Sequence, residues 1–166
     1  MTQRPIVCVA VIPPFALDAL LAQYGLGVRR VAPGAPIPGS HWMPPEAGLI
    51  ADTLFLRDDT PVHSVLHESC HYICMDRARR RRLHTNAGGD AAEESAVCYL
   101  SVVLADYLAN YGREHIYRDM DTWGYSFRLG STRRWFVADA GEARQWLIEK
   151  GLLTKDDEPT WSKRIE

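Results

Sequence analysis

The sequence predicts an α+β fold in a single domain over residues 1–153, with a polar tail over 154–166. Three observations carry this reading. The 166 residues and 46% hydrophobic content suit one core. Short β-branched runs stand near the N-terminus, and long helical patterns fill the rest. No internal repeat is found.

The elements are read in chain order. Residues 5–12 are apolar, β-branched and bounded by prolines, as in a buried strand. Phe15–Tyr24 has helical spacing and stops at Gly25. Val31–Pro45 carries Pro33, Pro36, Pro38, Pro44 and Pro45, which marks a loop or flap. Leu49–Arg57 is a second strand candidate. Thr60-Pro61 is a helix start, with Thr as cap and Pro at a position whose N–H is not needed, and the pattern then stays helical from Val62 to Met75. The arginines of the 77–82 stretch lead to the Asn86-Ala87-Gly88-Gly89 break. Asp90 is a second cap, opening a helix to Tyr111 with Ala96, Val97, Leu100, Val103, Leu104, Tyr107 and Leu108 on one stripe. Arg113–Trp123 is a short helix, Ser126–Val137 is ambiguous, and Gly141–Leu153 is helical.

Several function classes are set aside by composition. The formal charge of −2 supplies no general attraction to nucleic acid or an anionic membrane, and neither partner is expected. Cys8, Cys70, Cys74 and Cys98 lack paired zinc-ribbon spacing, and the chain is not cysteine-dense, so they are read as packing thiols of a reducing, cytoplasmic compartment. The apolar run at 5–12 is cut by Pro13-Pro14, unlike a signal peptide, and no stretch reaches the ~20 apolar residues of a membrane span. Without interleaved aromatics, the basic 77–82 run reads as a solvated connection.

Chemistry concentrates in His67-Glu68-Ser69-Cys70-His71. Two histidines four apart on a helix differ by about 40° in direction and about 6 Å in height, so both imidazoles reach one ion. Glu68, one step round, can reach water held by that ion and act as general base. A third protein ligand is needed to leave one position open, and Glu93 or Glu94 can supply it. His63 extends the row, but a straight helix does not wrap three such side chains round one ion, since the outer pair is about 12 Å apart.

These residues resemble the gluzincin metallopeptidases, in which the two-histidine helix is followed by a helix bearing Glu-x-x-Ala or Glu-x-x-Ser. The match is Glu93-Glu94-Ser95-Ala96, with Glu93 lying 22 positions beyond His71. The resemblance covers residues 60–108. It implies a zincin-like fold: a small N-terminal sheet packed on the active-site helix and on a second, glutamate-bearing helix. It further implies a Zn2+ cofactor on His67, His71 and Glu93, and hydrolysis of a peptide or protein substrate by zinc-bound water activated by Glu68. Glu93 also shares the stripe of Ala96, Val97 and Leu100, where a carboxylate without a positive partner would be costly. By resemblance, the strand Leu49–Arg57 borders the cleft and pairs with substrate, and an oxyanion-stabilising His or Tyr is found among His115, Tyr117 and Tyr125, with Tyr125 and His115 preferred. Val97 departs from the pattern, standing where many members carry Asp or Asn behind a ligating histidine. Asp90 or Asp106 is the substitute to look for. The alternatives are a non-catalytic zinc domain serving as an interaction module, and a protein without metal.

Overall fold

The computed structural model describes residues 4–166. The described chain is mixed α and β, with helices α1 (Pro14–Ala22), α2 (Val62–Cys74), α3 (Arg77–Arg81), α4 (Ala91–Ala105), α5 (Arg113–Trp123), α6 (Thr132–Ala138) and α7 (Gly141–Glu149) around a small sheet of β1 (Gly27–Arg30), β2 (Gly48–Ile50) and β3 (Thr53–Leu56).

The expected strand over 5–12 is not formed. Val9–Val11 make one 3-10 turn, and the segment runs against the start of α2 through Val9 N–H to Thr60 O (2.9 Å) and Val62 N–H to Val7 O (2.9 Å). Val9 and Ile12 enter the core and Ile6 to Cys8 are half-buried, while Pro5, Ala10 and Val11 are exposed, so the apolar run anchors a connection without forming a ladder. The Leu49–Arg57 candidate is a hairpin. Ala51 adopts a left-handed φ of 52° between β2 and β3, which pair antiparallel. β1 is parallel to β3, and the order β1-β3-β2 places β3 in the centre. β1 escaped sequence reading because Gly27, Arg29 and Arg30 are exposed and Val28 only half-buried.

The outer edge of β2 is also occupied. Ala51 N–H donates to Leu83 O and Thr85 N–H to Leu49 O, both at 2.8 Å, while Leu49 N–H donates to Gly39 O. The proline-rich loop closes so tightly here that a Cβ on Gly48 would collide with the backbone of Pro38 and Ser40. An edge free to pair with substrate, as the resemblance implied for Leu49–Arg57, is therefore absent from these strands.

α2 is the central element, with all thirteen of its residues buried. Leu54 and Leu56 of β3 are fully buried toward it, and α4 packs along it. Thr60 does not cap it, since its Oγ1 accepts the Arg57 N–H (2.9 Å), and Pro61 occupies the N-cap position. α3 and α4 are capped as side-chain chemistry dictates: Asp76 accepts from Arg79 N–H and Asp90 from Glu93 N–H. α4 ends at Ala105, short of the expected Tyr111, where the chain turns back and Gly112 N–H reaches Ala105 O.

Residues 154–166 do not form a detached tail. Trp161 packs on Tyr24 and Tyr107, Lys163 lies 5.3 Å over the Tyr72 ring, and Arg164 N–H donates to Ile73 O. The basic stretch is likewise partly internal. The Arg80 guanidinium donates to the carbonyls of Tyr72, Met75 and Arg164, neutralising the open carbonyls at the end of α2. No helix of the described residues is long and apolar enough to cross a membrane.

Candidate metal centre

α2 carries six buried polar side chains: His63, Ser64, His67, Glu68, Ser69 and His71. Buried polar groups require partners, so their fates define the site. Ser69 Oγ donates to Val65 O, and Ser64 Oγ accepts the Ala47 N–H. His67 and His71 turn to one another, with their Nε2 atoms 3.1 Å apart.

The third group at this point is Glu94. Its Oε1 is 3.0 Å from His67 Nε2 and its Oε2 3.1 Å from His71 Nε2, although about half of its side chain is exposed. Burial alone would raise the Glu94 carboxyl, but the two imidazoles hold it below the usual carboxylate range. For His71 burial acts downward and is outweighed by Glu94, which leaves its pKa raised.

Glu93 is not at the site, which corrects the expected ligand set. It is 3% exposed, as a position on the buried stripe requires, but its carboxylate accepts both terminal nitrogens of Arg79 at 2.8 Å and Arg164 Nη1 at 3.2 Å. A step of 100° per residue accounts for the difference. The face of α4 that meets α2 runs through Glu94, Val97, Cys98 and Ser101, with Ser101 near Cys70, while Glu93 turns toward α3 and the C-terminal segment. Gly89, at φ 104°, lets the preceding loop pass Glu93 so closely that a Cβ would meet its Oε1. Sequence could have found the Arg79 partner only by anticipating how α3 folds back.

Glu68 is 6% exposed and lines both recesses at the site, one of about 180 Å³ with Thr85–Gly88 and one of about 390 Å³ with Trp123 and Tyr125. It accepts no hydrogen bond from a described residue. Burial raises its pKa, opposed by His67 and His71, a direction suited to proton transfer near neutrality.

Of the oxyanion candidates, Tyr125 is brought to the site. Its ring lies 5.5 Å from that of His67, and burial holds its hydroxyl protonated well above the ordinary range. His115 is not brought there: its Nδ1 is 2.6 Å from Tyr111 O, its ring stacks on Tyr111, and it lines neither recess. Tyr117 packs against Phe136. His63 lies behind the site between Trp123 and Tyr125, with neither ring nitrogen hydrogen-bonded, and burial pushes its pKa down to about 3.

The donor chemistry fits a metal. Donor atoms of three side chains meet pairwise at 3.0–3.1 Å, each imidazole on its own Glu94 oxygen, close to the ~3.3 Å between neighbouring ligands of a tetrahedral zinc. Cys98 adds a sulfur, since a ring nitrogen of His67, an oxygen of Glu94 and Cys98 Sγ lie within 4.8 Å of one another. The layer behind the ligands is incomplete. His67 Nδ1 and His71 Nδ1 are buried without a partner among the described residues, and neither acidic substitute supports them, because Asp90 caps α4 and Asp106 binds Arg113.

Comparison of the chain with protein-family models, curated proteins and solved structures finds no match. The gluzincin likeness thus rests on motif residues alone, and reading from Glu94 shifts its second half to Glu94-Ser95-Ala96-Val97.

Proposed function

We propose that the protein is a zinc-dependent hydrolase of peptide bonds, with His67, His71 and Glu94 as metal ligands and Glu68 as general base. The observation that carries this reading is the meeting of His67 Nε2, His71 Nε2 and Glu94 at 3.0–3.1 Å beside a buried carboxylate that accepts no hydrogen bond from a described residue.

Zinc, when bound, supplies Lewis acidity toward a carbonyl oxygen and lowers the pKa of water to about 7. The remaining work falls to side chains. Glu68 takes the proton of the attacking water and returns it to the leaving amine, which its raised pKa favours. Tyr125, protonated and beside His67, donates to the carbonyl oxygen as charge builds there. Trp42 and the Thr85–Gly88 segment border the opening and exclude water around the reacting bond.

Glu68→Gln is expected to keep zinc, measured by mass spectrometry of metal content, and to lower cleavage of a peptide library by about 10²–10⁴-fold. Failure of the wild type to take up zinc would overturn the reading. Cys98 favours a second one: a closed site in which His67, His71, Glu94 and Cys98 hold zinc for stability or partner binding. There Cys98→Ser would release the metal and no peptide would be cleaved, whereas the hydrolase keeps its zinc in that variant.

A further inference from the structure

The larger recess beside Glu68 carries a carboxylate, Glu46, that the hydrolytic chemistry does not use. Glu46 lies there with Trp42 and Trp123, sharing the space with His67, Glu68 and Glu94. Glu46 Oε1 accepts the Trp123 indole N–H at 2.6 Å, and no described residue forms an ion pair with its carboxylate.

This carboxylate is held in place by its surroundings. Glu46 N–H donates to Met43 O, its carbonyl accepts Ser40 Oγ at 3.0 Å, and the next residue, Ala47, donates its N–H to Ser64 Oγ on α2. Trp123 is braced from behind by His63, whose ring lies 5.3 Å away. Glu46 therefore stands at a fixed position on the wall of the same recess as Glu68.

Charge decides what fits. Glu46, Glu68 and Glu94 face this recess, and its lining contains no lysine or arginine. A dication on the ligands offsets two of three negative charges, leaving a site that attracts a cation and repels an anion. An apolar side chain would fit the indoles but would desolvate Glu46 without a partner. A cationic side chain meets both features, since the carboxylate supplies the counter-charge and the indoles accept an alkyl stem and attract the cationic head.

We infer that this recess receives the lysine or arginine side chain of a peptide substrate, with Glu46 as the specificity-determining residue and Trp42 and Trp123 as its aromatic walls. The inference names the substrate class for the hydrolase reading and rests on it.

The test uses acetylated peptide amides, which lack a free N-terminal amine, carrying lysine, arginine, norleucine or glutamate at one central position. They are titrated into the Glu68→Gln protein with and without added zinc, followed by tryptophan fluorescence, and zinc content is measured separately. Lysine and arginine peptides are expected to bind about tenfold tighter than norleucine, with glutamate weakest. In Glu68→Gln/Glu46→Gln, whose new amide oxygen can still accept the Trp123 N–H, the lysine-to-norleucine ratio should fall toward one. Because the ratio is taken within each variant, a general loss of affinity does not imitate the result. Equal binding of lysine and norleucine by the zinc-loaded Glu68→Gln protein, or a lysine preference that survives Glu46→Gln, overturns the inference and leaves the zinc reading standing. A Glu46-dependent lysine preference in protein that takes up no zinc overturns the hydrolase reading and leaves a cation-binding recess.

Discussion

Glu94→Ala is expected to weaken zinc binding by at least about 100-fold in competition with a chromophoric chelator, since loss of even a supporting partner behind a ligand costs 10–100-fold. Removal of a ligand leaves only the two imidazoles of His67 and His71, too few protein donors for a catalytic zinc. Glu94→Asp should also bind poorly, because shortening by one methylene withdraws the carboxylate from two nitrogens that it now meets at 3.0 and 3.1 Å. Glu93→Ala, measured at a temperature where it is folded, should retain one zinc per chain. If Glu93→Ala lost the metal and Glu94→Ala kept it, the geometric assignment would be wrong and the register implied by the gluzincin pattern would be restored.

The second large effect is on stability and belongs to Glu93. Its carboxylate joins Arg79 and Arg164 in a place where the Arg79 side chain is 28% exposed and the Arg164 side chain 17%, and only the longer 3.8 Å contact of Arg79 with Asp76 would remain. Truncation to alanine leaves both guanidinium groups without that charge, at a cost of about 2–4 kcal/mol, somewhat below the loss of a fully buried partner. For a domain of this size that corresponds to a fall in Tm of about 5–15 °C by calorimetry of metal-free protein. Glu94→Ala should move the metal-free Tm far less, because its side chain is half exposed. A Glu93→Ala protein as stable as wild type would show that the arginine pair finds other partners without difficulty.

The two predictions separate adjacent residues whose roles the sequence left exchanged. Reasoning from the α4 stripe correctly implied that Glu93 is buried and needs positive charge. What it could not supply was the source of that charge, because Arg79 is fourteen positions away and Arg164 seventy-one. Glu94 sits at the edge of the stripe, and an edge position is where a side chain can reach a neighbouring helix while staying half exposed. The resemblance selected Glu93 because Ala96 follows it at the right interval. Helix phase selects Glu94, because α2 lies on that side.

Local features were legible where their physics is local. Thirteen residues of α2, the cap at Asp90, the stop at Gly25, and the direction of His67 and His71 follow from side-chain chemistry and the 3.6-residue period. The failures share one cause. The apolar run 5–12 was assigned a ladder it does not have, β1 was missed because it is exposed, and Leu49–Arg57 is a hairpin whose outer edge is covered by the 83–85 segment. Strand identity depends on which segments come alongside, and that information is not held within any one of them.

By itself, the sequence determined that one helix presents His67, His71 and Glu68 together, since periodicity fixes directions along a single element. Only the tertiary structure decided that Glu94 completes the group, that Glu93 is held by two arginines, that Tyr125 and not His115 reaches the site, and that Glu46 accepts the Trp123 indole N–H on the wall of the same recess. Each of those facts is a distance between elements far apart in the chain, set by the packing of α2, α4, α5 and the proline-rich loop around one core.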